Sequence, residues 1–356
     1  MKYKTCVYAI CKNEEKFIKR WYESIKDSDY ICVLDTGSTD NSVKLLKELN
    51  IKTKVKKIEP FRFDIARNES IKMIPKDTDI CICLDIDEVM NNNWKEILNN
   101  IWKKNTNRLE YIYNWYIDEN NNPKITFYAN KIHSLKNYKW IHPVHEVLKF
   151  ENNTNENKIT TNDIIINHYP DKLKSRKQYL KLLELSIKEN PNDDRNTHYL
   201  GREYMYYKKW NKSIDTLIKH LNLKTATWKD ERCASMRFIS RCYINLKRYD
   251  EAKMWLDKAI NEAPYLRDAY TERMMLEYNL KNYKNAIYYG LEALKIKNRK
   301  LSYINETFSW DETIYDILSL CYYYTNNKKE GLKYLLEAIN INPTNQRLKN
   351  NLKYFI

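Results

Sequence analysis

No stretch of this sequence approaches the ~20 consecutive apolar residues that a helix needs to span a bilayer. The opening Met1-Lys2-Tyr3-Lys4 enters a short apolar run broken by Lys12, Asn13, Glu14 and Glu15, a pattern expected of neither a signal peptide nor a membrane anchor. CxxC pairs and His/Cys clusters are also missing, so the eight cysteines point to neither structural zinc nor a disulfide framework. Five of them lie in or beside apolar runs of the first half, where buried thiols in a reducing compartment are the natural reading. A soluble, cytoplasmic protein is expected.

The 62 Lys and Arg against 47 Asp and Glu leave a formal charge of +15, which suits an anionic partner such as a nucleotide, a nucleic acid or a membrane surface. The basic residues are spread along the chain rather than blocked, and no RNA- or DNA-binding module is recognisable. Nucleic acid is therefore not the expected partner. Abundant Lys, Asn, Ile and Tyr together are what an AT-rich genome produces, and much of the surplus is read that way.

At 356 residues the chain can hold two domains, each with its own core. The first half alternates strand and helix patterns. Thr5 to Cys11 is β-rich, Glu14 to Ile25 has helical apolar spacing, and Tyr30 to Leu34 is a second buried strand. Lys54 to Ile58, Asp64 to Ile74 and Asp79 to Leu84 continue as strand, helix, strand. Aromatic-rich extended segments follow at Leu109 to Ile117, Lys124 to Ala129 and Trp140 to Leu148, predicting an antiparallel extension of a parallel sheet. Glu151 to Asn157 reads as a loop.

Beyond about Lys172 the pattern turns helical, and Leu246-Lys-Arg-Tyr249-Asp-Glu-Ala252 recurs as Leu280-Lys-Asn-Tyr283-Lys-Asn-Ala286, 34 residues on. That is the period of tetratricopeptide repeats, stacked pairs of antiparallel helices. Looser copies near Trp210 and Gly331 suggest four irregular repeats. The domains are accordingly expected at residues 1–170 and 171–356.

Two strand ends carry acids that the fold alone does not require: Asp35, and the Asp85-Ile86-Asp87 triplet followed by Glu88. Ligands of open α/β sheets bind at the carboxyl ends of the strands. Two carboxylates one residue apart there can share a hard divalent cation that in turn neutralises a diphosphate. Taken alone the same spacing also suits a solvated turn.

Three segments in order carry a family resemblance: Ala9-Ile-Cys-Lys-Asn13-Glu14-Glu15, Val33-Leu-Asp35-Thr-Gly37-Ser38-Thr39-Asp40, and Leu84-Asp85-Ile86-Asp87-Glu88, with Ala66-Arg67-Asn68 between the last two. Over roughly the first 170 residues the chain resembles a family 2 glycosyltransferase of the GT-A fold. The resemblance extends to bacteriocin S-glycosyltransferases and lipopolysaccharide-core glucosyltransferases. It implies an α/β nucleotide-sugar domain with a mixed sheet, followed by the all-α repeat domain, and a UDP-sugar donor used with Mn²⁺ or Mg²⁺. Backbone from Ala9 to Asn13 would line the uracil, Asp35 would accept a hydrogen bond from the base, and Arg67 would sit near the diphosphate. Asp85 and Asp87 would hold ribose and metal, with His168 a further metal or diphosphate ligand and His145 its competitor.

A carboxylate must also deprotonate the acceptor. Glu146, closing Trp140-Ile-His142-Pro-Val-His145-Glu146, is the preferred base, with Asp118 and Glu119 as alternatives and a structural ion pair as the competing role for Glu146. The implied reaction moves a hexose, glucose or N-acetylglucosamine foremost, to a protein, peptide or glycan acceptor with inversion. The repeats would recruit the acceptor or mediate homo-oligomerisation. The alternative is a non-catalytic repeat adaptor with a vestigial nucleotide-sugar domain.

Overall fold

The computed structural model describes residues 2–171 and 177–355; the onset of the helical half at Lys172 lies outside the described residues. The chain divides into two compact units, Met1–Ser186 and Ile187–Ile356. Among the described residues no helix is long and apolar enough to cross a membrane.

The first unit opens β1 (Thr5–Cys11), α1 (Glu15–Ile25), β2 (Tyr30–Asp35), α2 (Ser42–Glu48), β3 (Lys52–Val55), α3 (Phe63–Ile71) and β4 (Ile80–Cys83). It continues β5 (Glu88–Met90), α4 (Trp94–Ile101), β6 (Arg108–Ile117), β7 (Pro123–Ser134), β8 (Tyr138–Ile141), β9 (Val147–Phe150) and β10 (Lys158–His168). Eight strands form one sheet in the order β3-β2-β1-β4-β7-β6-β10-β5, and β8 and β9 pair separately. The first four are mutually parallel; β7 runs against β4 and β6, and β10 is parallel to β6. The sheet is thus mixed, as the change of pattern after Arg108 predicts. Six strands, β1, β2, β3, β4, β6 and β10, consequently end on the same edge.

Burial on both faces explains why β1 is apolar almost without interruption. Val7, Ala9 and Cys11 face one cluster with Ile18, Trp21 and Ile25 of α1, while Cys6 and Tyr8 face another with Ala66 of α3, Cys81 and Cys83. All eight cysteines are free and buried.

The expected strand from Trp140 to Leu148 is instead two strands and a turn. His142 and His145 adopt left-handed backbone, φ 75° and 50°, and Pro143 between them has no N–H to give to a ladder. The reversal pairs Ile141 with Val147 and carries Glu146 back toward α3.

After α5 (Gln178–Glu189) come four helix pairs: α6 (Asp194–Tyr206) with α7 (Trp210–Asn222), α8 (Lys229–Asn245) with α9 (Tyr249–Glu262), α10 (Arg267–Asn279) with α11 (Tyr283–Lys295), and α12 (Thr313–Tyr324) with α13 (Lys328–Ile341). A short α14 (Gln346–Asn351) follows. Each pair turns through one left-handed residue, a position where glycine is usual. In a chain with four glycines the task falls to Lys208, Lys247, Lys281 and Asn326.

Glycine is spent instead where helices touch. A Cβ on Gly201 of α6 would lie 2.5 Å from the side chain of Leu217 on α7, and Ser213 donates to the Gly201 carbonyl at 2.8 Å across the same contact. Leu217 is fully buried and cannot swing away. Gly201→Ala should therefore destabilise the helical unit by about 1–2 kcal/mol despite alanine's better helix propensity. Urea unfolding followed by far-ultraviolet circular dichroism would show the lower midpoint; an unchanged or raised midpoint would mean that α6 and α7 can separate at little cost.

Candidate active site

β4 delivers the acidic segment to the carboxyl edge beside β1. The Leu84 amide donates to the Tyr8 carbonyl at 3.2 Å, and the buried indole of Trp21 donates to the Leu84 carbonyl at 3.3 Å. Past this point the backbone turns, and Glu88 shapes the turn: its Oε2 accepts the Asp85 amide at 2.9 Å and its Oε1 accepts the Tyr113 hydroxyl at 2.8 Å.

Asp85 lies between two cations. Its Oδ1 is 2.6 Å from Nη1 of Arg67, and its Oδ2 is 3.2 Å from Nζ of Lys131. Lys131, on β7, also reaches both carboxylate oxygens of Glu88, at 2.7 and 3.0 Å. Burial alone would push Lys131 down, but the carboxylates of Asp85 and Glu88 overcome it and hold the ammonium well above its ordinary value. For Asp85, burial likewise opposes ionisation and is outweighed by Arg67 and Lys131, so its carboxyl lies far below the usual range. Burial raises Glu88 against the pull of Lys131, with Asp85 adding repulsion.

Arg67 is the hub. From α3 it donates through Nε to Oε1 of Glu146 at 3.0 Å and through Nη1 to Sγ of Cys83 at 3.2 Å, and its guanidinium lies 5.3 Å from the Trp140 ring centroid. Burial pushes the Cys83 thiol up to about 12, so the sulfur is a neutral acceptor and the countercharge comes from Asp85 and Glu146. Asn68 completes the junction by acting as a strand for Trp140: its Nδ2 donates to the Trp140 carbonyl at 2.8 Å and its Oδ1 accepts the Trp140 amide at 2.9 Å. The indole of Trp140 donates to the Tyr8 hydroxyl at 3.1 Å, which shares a 2.8 Å bond with Nε2 of His133. Burial drops His133 to about 3, leaving a neutral ring between the tyrosine and the Ser134 carbonyl.

Asp87 faces a different partner. Its Oδ2 is 3.4 Å from Nε2 of His168, at the end of β10, and its carbonyl accepts the Tyr169 amide at 2.8 Å. Nδ1 of His168 lies 3.0 Å from the Trp115 carbonyl, which can only accept, so Nε2 carries the lone pair in the neutral ring. Burial lowers His168, but the Asp87 carboxylate outweighs it and the net displacement is upward.

Asp35, fully buried at the end of β2, accepts the Gly37 and Ser38 amides on Oδ1 at 2.9 Å each and the Ser38 hydroxyl on Oδ2 at 2.5 Å. Three of its roughly four lone-pair positions are thus used, and capacity remains for one more donor. Asn13, left-handed at φ 57°, knits the first loop to the second: its Oδ1 accepts the Thr39 amide at 2.7 Å and its own amide donates to Ser38 Oγ at 2.8 Å. Ala9 sits within the sheet opposite Val33 with no exposed surface; the accessible rim starts at Ile10. Asp118 binds the Asn120 and Asn122 amides of its own turn, at 2.9 and 2.8 Å, as a turn-former.

The structure therefore joins Arg67, Asp85 and Glu146 in one assembly and Asp87 with His168 in a second. Lys131 went unforeseen, although a lysine beside the apolar Ile132 of a strand is a visible oddity. Glu88 was seen only as a neighbour of the triplet. Among the described residues no group of three or more His, Cys, Asp and Glu side chains comes together as a ready-made metal site.

Residues 6–165 match the family model described as glycosyl transferase family 2, and residues 238–265 and 313–345 match tetratricopeptide repeat. The mixed-sheet unit thus carries a family 2 glycosyltransferase domain, and tetratricopeptide-like helical repeats follow. Solved structures similar to the chain include MamA, 18% identical over 50% of this chain and 99% of that one with a TM-score of 0.39. YrrB, a tetratricopeptide-repeat protein described as having an unusual peptide-binding site, is 14% identical over 50% and 83% of the two chains, TM-score 0.38. A thermophilic tetratricopeptide-repeat protein of Thermus thermophilus is 19% identical over 50% and 88%, TM-score 0.36. No curated protein matches the chain.

The two members of the Asp85–Lys131 pair have opposite pH signatures. Stability from Asp85 is complete above the unfolded carboxylate value near ~3.9 and drains as the pH falls toward its depressed folded value; that from Lys131 is complete below ~10.4 and drains as the pH rises toward its elevated one. Lys131→Met leaves Glu88 buried without its cation and should cost about 3–5 kcal/mol at neutral pH. The same variant should lose less stability than wild type between neutral and alkaline pH. Equal denaturation midpoints for variant and wild type at neutral pH would contradict the pairing.

Proposed function

We propose that this chain transfers a hexose, glucose or N-acetylglucosamine foremost, from a UDP-sugar to a protein, peptide or glycan acceptor, with Mn²⁺ or Mg²⁺ and with inversion. The observation that carries the reading is the division of labour within Asp85-Ile86-Asp87: Asp85 is held by Arg67 and Lys131, while Asp87 faces Nε2 of His168.

A carboxylate and an imidazole whose other nitrogen is tied to a carbonyl make a fitting donor set for a divalent cation. Asp87 and His168 are the residues that would hold it, in preference to Asp85, whose oxygens already face two positive groups. When bound, the cation supplies Lewis-acid neutralisation of the departing diphosphate.

The remaining work falls to this chain's own groups. Asp35, enclosed by the Gly37–Ser38 turn that it braces, would present its remaining acceptor position to a base N–H once that turn parts, and the Asn13–Ser38–Thr39 bonds hold the two loops that would flank the uracil. Arg67 and Lys131 keep Asp85 ionised and still, so that it can accept from a ribose hydroxyl. Glu146 is the base for the acceptor hydroxyl or thiol; Arg67 fixes its Oε1 and so its direction.

A UDP-release assay over a panel of UDP-sugars with Mn²⁺ tests the reading. Wild type should turn over at least one donor, and Asp87→Ala should lose most of that activity. No release and no thermal shift with any donor would overturn it. Glu146→Gln can still accept from Arg67 but cannot take a proton, and should lower kcat by about 10²–10⁴-fold with UDP affinity preserved. Unchanged turnover in that variant would assign Glu146 to positioning Arg67 alone.

A further inference from the structure

Tryptophan is highly buried on average, yet Trp115, near the end of β6, is 45% exposed beside His168. The sheet is interrupted at this residue. Asn114 faces Thr126 across the β6–β7 ladder and Tyr116 faces Ile125, so β6 takes two steps where β7 takes one. Trp115 is the extra residue of a bulge, a device that re-aims a side chain and is common next to active sites.

On the other side, the register of β6 with β10 ends at Asn114 and Asn167. Released from both ladders, Trp115 is tied to the imidazole of His168 instead. Its carbonyl lies 3.0 Å from Nδ1, and its ring lies against the imidazole with centroids 6.4 Å apart and planes 30° from parallel. Tyr113, two residues earlier, also stacks on His168, at 6.1 Å and 26°. That tyrosine is buried and its hydroxyl is committed to Glu88. Trp115 is open, and its indole N–H forms no hydrogen bond among the described residues.

A flat apolar face with one N–H at its edge suits a pyranose. The C–H bonds of a hexose ring are polarised by the neighbouring oxygens, so their hydrogens meet the negative face of an aromatic ring favourably. Its place among the other groups names the ligand. Asp35 ends β2, the Asp85–Asp87 segment follows β4, and His168 ends β10. Base, ribose and diphosphate are assigned to these groups in that order. Trp115 adjoins the last of them, and the group linked beyond the diphosphate in a UDP-sugar is the hexose.

We infer that Trp115 is the platform on which the transferred hexose stacks, so that the sugar is recognised as well as the nucleotide. The inference rests on the sugar-transfer reading above and adds to it a residue that sorts donors by their sugar. Ring stacking contributes to ground state and transition state alike, so its loss belongs in donor affinity and KM more than in kcat.

Isothermal titration calorimetry on the full chain with Mn²⁺ tests this by comparing UDP with UDP-glucose and UDP-N-acetylglucosamine. Trp115→Ala should weaken the UDP-sugar that wild type binds best by about tenfold, while UDP stays within about twofold. Trp115→Phe restores a flat ring and should recover most of the loss. Trp115→Leu, apolar and bulky but without a flat face, should behave as the alanine variant does while keeping the wild-type thermal midpoint.

Equal weakening of UDP and UDP-sugar in Trp115→Ala would mean that the ring only steadies His168, and overturns the inference. Full retention of UDP-sugar affinity in Trp115→Leu overturns it as well. Wild type that binds neither UDP nor a UDP-sugar removes the sugar-transfer reading and this inference together. Wild type that binds both, with Trp115→Ala indistinguishable from it, removes the inference alone.

Discussion

The arrangement of the first unit depends on the burial of Arg67. A guanidinium taken out of water costs several kcal/mol unless carboxylates and hydrogen bonds replace its solvation. Arg67 meets that need from three directions: Asp85 after β4, Glu146 in the β8–β9 turn, and Cys83 within β4. Satisfying one side chain therefore brings together elements far apart in sequence. Trp140 lies beside the guanidinium and is held in turn by Asn68, so the residue that follows Arg67 secures the strand beside which Arg67 is buried. A substitution that unpairs Arg67 would disturb the acids and the β8–β9 turn together.

The same constraint separates the two acids of the triplet. Asp85 is committed to Arg67 and Lys131 and so contributes rigidity and a fixed negative charge. Asp87, two residues on, escapes that assembly and meets His168, because β10 ends on the same edge as β4. A symmetrical pair of carboxylates would bind a cation as one unit. Here the environments differ, and so do the tasks proposed for the two residues.

Much of this was legible in the sequence for a simple reason: β1, α1 and β2 are buried on predictable faces, and acids that follow apolar strands are easy to notice. The parallel strands and the repeat period were accordingly visible, and so were Asp35, Asp85 and Asp87. Lys131 was not, since its partners Asp85 and Glu88 meet it only through the antiparallel pairing of β7 with β4, which no local pattern encodes. The turn inside Trp140 to Leu148 was hidden because His142 and His145 take the left-handed backbone that glycine would have announced. The connection from α11 to α12 was hidden for the opposite reason. It has no period of its own, and its shape comes from Arg237, Arg241 and Asp268 on helices that precede it.

The central claim is that Asp85 organises and Asp87 with His168 binds. A crystal structure of the chain with Mn²⁺ and UDP, its metal located by anomalous scattering, tests this directly. The account predicts manganese against Asp87 and Nε2 of His168 with the diphosphate beside it, and Asp85 still paired with Arg67 and Lys131. Manganese coordinated by Asp85, with Lys131 displaced and His168 turned away, would contradict it.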